Sequence, residues 1–263
     1  FYSLLILFWV DAHTNIFIQP YKFLIATLSD SYWTGWATNL VNGNYFYSGS
    51  VPKTYFLINI LYKTPEYILL LYVLFAYLLI KKTYFFKEKI KYFTTKILFV
   101  FLILLYPSVI IFFIPYPLYD GLRLFIWVIP YFVIIPALSI YYLWQNYKST
   151  INKFFISFYL LLFIYFFNNF ILLTPYHYTY LNVLAGQKAS VYKKFENDYW
   201  STSLSELIKK TNFNNQETIL ISSCGANNYL IKKYMSKKYN NNFRLVRDEE
   251  ADFIIMTNRS IID

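Results

Sequence analysis

Few side chains in this sequence have the type and spacing that chemistry needs. The histidines are His13 and His177, on different segments, and Cys224 is the lone cysteine. No Cys/His cluster with metal-ligand spacing can be drawn from these, so no metal and no other cofactor is expected. A Ser-His-Asp order and a Gly-x-Ser-x-Gly elbow are also missing, and no glycine-rich phosphate loop follows a strand-like run. The most suggestive polar group is Asp120-Gly121-Leu122-Arg123. Asp120 is placed to cap the helix that starts after it by accepting from the free N–H groups of its first turn. Arg123, one turn further on, can pair with Asp120 or present its planar fork to a phosphate. Glu196 and Asp198 alternate in an extended stretch and read as solvated surface or as caps.

The elements that must position these residues are set by composition. The 263 residues are 57% hydrophobic and only 14% charged, more apolar and less charged than globular chains, which points to an integral membrane protein. Four runs near 66–80, 97–114, 123–144 and 154–173 read as spanning helices, the first short unless it begins nearer Tyr55; a span takes about 20 apolar residues. Residues 1–10 are too short for one and read as the end of a truncated spanning helix, the preceding part of a longer protein being absent. The connection over 11–64 reads as an outer loop. Trp33, Trp36, Ala37 and Leu40 fall at helical spacing, either as an amphipathic surface helix or as headgroup anchors. Asn42-Gly43-Asn44 and Ser48-Gly49-Ser50 mark turns.

The net charge of +10 is spread between apolar runs rather than gathered in one patch, so the bilayer and not nucleic acid is the expected partner. The lysines cluster over 81–96 and at Lys148 and Lys153, which makes those loops cytoplasmic by the positive-inside rule. The 11–64 connection, the loop at Asp120 and everything after Pro175 then lie outside. The spans carry essentially no ionisable residue in their interiors, Asn168 and Asn169 being the most polar insertions, which argues against an ion-coupled transporter. After residue 200 the pattern changes to a small α/β domain. It has a capping box at Ser203 and Glu206, strands near 217–223, 243–246 and 253–257, and an amphipathic helix over 226–239.

Between the two parts runs Thr174-Pro175-Tyr176-His177-Tyr178-Thr179-Tyr180-Leu181-Asn182, then Gly186, then Phe195-Glu196-Asn197-Asp198-Tyr199-Trp200. Pro175 stops the preceding helix, and the alternating tyrosines suit a membrane–water interface. This junction resembles that of polytopic bacterial glycosyltransferases of the GT-C type, the dolichyl-phosphate-mannose-protein mannosyltransferase-like group of family 39. It matches their pattern at Pro175, Tyr176, Tyr178, Tyr180, Asn182, Phe195, Glu196, Asp198, Tyr199 and Trp200, and departs from it at Thr174 (His there) and Ser201 (Gly there). Two further segments are similar: Val51-Pro52-Lys53-Thr54-Tyr55 through Lys63-Thr64-Pro65, and Tyr119-Asp120-Gly121-Leu122-Arg123 followed by Pro130, with Leu124 where the family has His.

The resemblance implies a mainly α fold, a polytopic transmembrane bundle over 65–174 followed by a junction at 175–200 and a small extracytoplasmic α/β domain at 201–263. The site would lie in a bacterial inner membrane, facing outward. It also implies an enzyme that moves a sugar from a polyprenyl-phosphate donor to a glycan, lipid or protein acceptor. The family's catalytic Asp lies on an earlier loop, expected upstream of Phe1, so these residues would hold no catalytic base. Substrate-binding residues implied here are Arg123, Lys63, Tyr119, Asp120 and Tyr55, with Lys63 and Arg123 holding the charge of the departing phosphate. The rival expectation is a non-enzymatic, membrane-anchored binding or assembly protein that works through its α/β tail. The topology is directly testable: a reporter active only in the cytoplasm, fused after Asp263, is expected to stay silent, and full signal would contradict the orientation.

Overall fold

The computed structural model describes residues 13–19, 21–22, 25, 38–113, 117–186, 188–196, 198, 201–213, 218–240 and 242–257. The expected span end at 1–10 and the surface helix around Trp33 and Trp36 lie outside these residues, as do Tyr199 and Trp200. The fold is mainly helical, with a two-stranded and a three-stranded sheet.

Asn42-Gly43 closes a β-hairpin. Both residues have positive φ, 49° and 91°, a turn geometry that Asn-Gly favours because it matches the twist of the flanking strands. Strands β1 (Thr38–Val41) and β2 (Asn44–Tyr47) pair antiparallel, Thr38 opposite Tyr47. Helix α1 (Tyr55–Lys63) follows and then α2 (Glu66–Lys81). Between them Pro65 holds Thr64 in an extended conformation, as the residue before proline prefers. The chain turns by 110° at this break. The apolar run therefore does not extend back to Tyr55 as one straight span. Helix α2, with 16 residues, is about 24 Å long at about 1.5 Å per residue, and α1 lies across its direction.

The chain continues through α3 (Thr83–Lys89), α4 (Phe93–Phe113), a 3₁₀ stretch Arg123–Val128 that runs into α5 (Ile129–Gln145), and α6 (Thr150–Leu172). Among the described residues, three helices are long and apolar enough to cross a membrane: Phe93–Phe113, Arg123–Gln145 and Thr150–Leu172. Phe75 and Leu78 of α2, Phe86 of α3, Phe93, Ile97 and Val100 of α4 and Ile135 of α5 form one core. In hydrocarbon, apolar contact alone gives helices little reason to prefer each other over lipid, so shape and polar pins decide the pairing. Two such pins join α2 to α5. Ser139 Oγ donates to the Leu71 carbonyl at 2.9 Å, and the Tyr72 hydroxyl to the Phe132 carbonyl at 2.6 Å. Helix α6 buries no residue; its apolar surface suits lipid.

The tail forms a parallel sheet in the order β4-β3-β5, with β3 (Ile219–Cys224) between β4 (Phe243–Leu245) and β5 (Phe253–Met256). Helix α8 (Asn228–Tyr239) crosses from β3 to β4, and α7 (Leu204–Lys210) packs beside it. Ile221, Ile231 and Met235, all fully buried, are the centre of this second core. Asn227 caps α8 by accepting from the Tyr229 and Leu230 amides. Lys238 donates to the carbonyls of Ile208, Lys209 and Thr211, which meets the unpaired acceptors at the end of α7. The expected capping box does not form. Ser203 is already helical and makes no cap; Asp198 accepts from the Thr202 and Ser203 amides instead.

Each of the three alternating tyrosines reaches a carboxylate: Tyr176 to Glu206 at 2.7 Å, Tyr178 to Asp198 at 3.4 Å, and Tyr180 to Glu66 at 3.2 Å. The bond to Glu206 pushes the Tyr176 hydroxyl up to about 12. Glu206 is itself held below the usual carboxylate range, first by its hydrogen bond to Lys210 and then by Tyr176. A depressed carboxylate stabilises the fold above its ordinary titration range and loses that contribution as pH falls through the lowered value. Asn182 fixes the junction to the α1–α2 corner. Its Nδ2 donates to the Leu61 and Thr64 carbonyls at 2.6 and 2.8 Å, its backbone N–H to Tyr62 O, and its Oδ1 accepts from Leu184 N. It is 3% exposed. Asn182→Leu strands the buried Thr64 carbonyl, at about 1–3 kcal/mol, and the half-buried Leu61 carbonyl as well. The expected result is a clear drop in melting temperature, while Asn169→Leu, on exposed α6, leaves it unchanged.

Candidate functional site

The site is assembled by local constraints at the helix ends. Asp120 and Gly121 both adopt positive φ, 56° and 63°, a conformation that Gly and Asp tolerate better than bulkier residues. That tight turn directs the Gly121 amide at the hydroxyl of Tyr55, which accepts its N–H at 2.8 Å. Tyr55, at the start of α1, is 1% exposed. One turn on, Asn59 Nδ2 returns to the Tyr55 carbonyl at 2.9 Å. The hairpin closes over the same spot: Asn39 Nδ2 donates to the Leu118 carbonyl at 2.8 Å, and Leu118 N to Ser48 O at 3.0 Å.

The third component arrives from the junction. Phe195 lies opposite Val41 as an added antiparallel bridge, and Gly43 N donates to Lys194 O at 3.0 Å. The Phe195 ring meets Tyr62 of α1 at 5.2 Å between centroids. This docking carries Glu196 inward. Its Oε1 accepts from Leu40 N at 3.2 Å, and the residue is 6% exposed. Reading it as solvated surface is therefore corrected. Alternation along one extended stretch cannot reveal that a hairpin far earlier in the chain will cover it. Burial disfavours the ammonium of Lys63, at the end of α1, more than the attraction of the Glu196 and Asp120 carboxylates favours it.

Lys63, Tyr55, Asp120 and Arg123, spread over 69 positions of sequence, are thus brought to one end of the helices, and Tyr119 is partly buried beside them. Asp120 does not cap the following helix through its side chain. Its Oδ2 pairs instead with Arg123 Nη1 at 3.1 Å, the carboxylate side chain 6% and the guanidinium side chain 54% exposed. Only a backbone bond from Arg123 N to Asp120 O remains of the expected cap. The space enclosed by Asn39, Tyr55, Asn59, Lys63, Gly121 and Glu196 is about 10 Å³, the size of about one water and too small for a sugar or phosphate. Tyr55, Lys63 and Glu196 are therefore the closed floor of the site, and Arg123 is the cation that faces solvent. Sequence reasoning missed Asn39, Asn59 and the inward Glu196; Asn42-Gly43 was the available signal that a hairpin would cover this floor.

A larger cavity of about 540 Å³ opens at the same end, between α6 and the junction, walled by Tyr165, Phe166, Leu172 and Tyr180, with Glu66 at its edge. No group of three or more metal-ligating side chains is found among the described residues. No protein-family model, no curated protein and no solved structure matches this chain.

Removing one charged group from the floor leaves the others less well compensated. Lys63→Met and Glu196→Gln are each expected to lower stability. The double variant should lose less than the sum, with a coupling of about 0.5–3 kcal/mol. Strict additivity in melting experiments would separate the two residues.

Proposed function

We propose that this chain belongs to an inverting membrane glycosyltransferase that takes a sugar from a polyprenyl-phosphate donor on the outer face of a bacterial inner membrane. The observation that carries the reading is convergence. The three segments that resemble the family 39 glycosyltransferases meet at a single end of the apolar helices, 119–123 and the junction each bonding to 51–65. In this reading α2, α4, α5 and α6 form a polytopic bundle, and the tail is extracytoplasmic. An acceptor hydroxyl, deprotonated by a general base, attacks the anomeric carbon, and the lipid phosphate leaves. Arg123 presents its guanidinium to that phosphate, with Asp120 aiming it from below. Lys63, Tyr55 and Glu196 hold the floor and act through position rather than contact. The apolar cavity beside the junction suits the first isoprene units of the donor.

A second reading, a membrane-anchored binding protein without transferase activity, is favoured by one feature of the tail. A polar cleft of about 390 Å³ lies at the carboxyl edge of β3 and β4, lined by Ser223, Asn228, Arg247 and Asp248. Open parallel sheets bind ligands at that edge. This reading predicts that the full-length protein transfers no sugar from any polyprenyl-phosphate donor.

The two roles of Arg123 separate in the full-length protein. Its ion pair is half exposed, so its contribution to stability is at most about 1 kcal/mol. A charge-assisted bond to phosphate is worth about 1.5–3 kcal/mol. Arg123→Lys keeps the charge and loses the fork. It is expected to lower kcat/KM for the donor by about ten- to hundredfold with the melting temperature nearly unchanged. Unchanged kinetics, with a stability loss shared non-additively with Asp120→Ala, would assign Arg123 to architecture alone.

A further inference from the structure

A further cavity lies at the other end of the helices from the polar floor. It is a groove of about 920 Å³ between α2, α5 and α6, within the range of small-molecule sites. Its walls are apolar: Leu70, Val73 and Tyr77 from α2 face Phe155 and Phe158 from α6. Its mouth is polar and basic. Lys82, which ends α2, and Lys148, in the α5–α6 turn, both border it, with Asn146 and Asn152 beside them. Both lysines are exposed, and neither is in an ion pair among the described residues. Leu70 lies 12 residues from Lys82, so the groove runs about 18 Å down α2 at about 1.5 Å per residue. One leaflet of the hydrocarbon core is about 15 Å deep, half of about 30 Å.

We infer that this groove is a binding site for an anionic diacyl phospholipid, its phosphate held between Lys82 and Lys148 and its acyl chains lying between α2 and α6. Charge and depth agree on the occupant. The mouth offers cations at headgroup level, and the walls offer one leaflet's length of apolar surface; basic clefts between helices on the cytoplasmic side are suited to anionic headgroups. A second copy of the chain would bring its own lysines to the same place, where like charges repel. The inference rests on the membrane reading of these helices and not on sugar transfer, so it stands or falls without any donor.

The test reconstitutes the protein in phosphatidylcholine vesicles and measures how strongly spin-labelled phosphatidylglycerol is immobilised relative to spin-labelled phosphatidylcholine. The wild type should prefer phosphatidylglycerol. Lys82→Gln/Lys148→Gln should reduce that preference by about thirtyfold, equivalent to about 2 kcal/mol at about 1 kcal/mol per basic side chain. Lys87→Gln/Lys89→Gln removes the same charge from an exposed stretch outside the groove and should keep the preference. Val73→Trp puts a bulky ring into the groove wall with the lysines intact and should weaken immobilisation of both lipids at the site. Equal retention of the two lipids by the wild type would overturn the inference. So would equal losses in the two lysine pairs, full retention in Val73→Trp, or a stable dimer whose interface covers Val73.

Discussion

A carboxylate taken out of water costs several kcal/mol unless its charge and lone pairs are met, and Glu196 is 6% exposed. The means of meeting it organise one end of the molecule. The Leu40 amide of the hairpin donates to it, and Lys63 attracts it from the end of α1. Lys63 in turn faces Asp120, whose strained turn is held by the Tyr55 hydroxyl through Gly121. Hairpin, α1, Asp120 loop and junction are therefore coupled through a few polar contacts around almost no free volume. A small displacement in any of them should be felt by Arg123, the outward-facing member of the set.

The same physics fixes the junction to the helices and to the tail. Helix ends leave carbonyls without partners, and here polar side chains from distant segments supply them: Asn182 at the end of α1 and Lys238 at the end of α7. The alternating tyrosines contribute in a way that an interfacial pattern in the sequence does not explain. Each hydroxyl is bound to a carboxylate, and the three carboxylates belong to α2, to the junction itself and to α7. The Tyr-x-Tyr-x-Tyr stretch thus acts as a strap between the apolar part and the α/β part.

Much of this architecture was legible because it depends on local pattern. Apolar runs give the long helices within a few residues, and alternation with punctuation gives all three strands of the tail and the helix between β3 and β4. The features that stayed hidden depend on contacts between distant residues. Helix α1 is hidden because Val51–Lys63 reads equally as loop and as the start of a span until Pro65 is seen to turn the chain. The burial of Glu196 depends on a hairpin more than 150 positions earlier. The Ser203–Glu206 pattern is a sound capping signature, yet Asp198 takes the amides and Tyr176 and Lys210 take Glu206. Asp120 likewise gives its carboxylate to Arg123 once the turn is left-handed. The closed floor beneath Arg123 could not be read from composition, because its size is set by how tightly the hairpin sits.

The central claim is that the junction docks onto the hairpin and closes that floor. Val41 and Phe195 are bridge partners across it, and antiparallel partners lie about 4.5–5.5 Å apart at Cα, within disulfide reach. Both can be replaced by Cys, a small apolar residue, in a Cys224→Ser background. Mild oxidation of intact membranes carrying Val41→Cys/Phe195→Cys should then give an intramolecular crosslink that reduction reverses. Val41→Cys/Leu207→Cys, with its second thiol exposed on α7, should give none. No crosslink in the first pair, or as much in the second, would contradict the account.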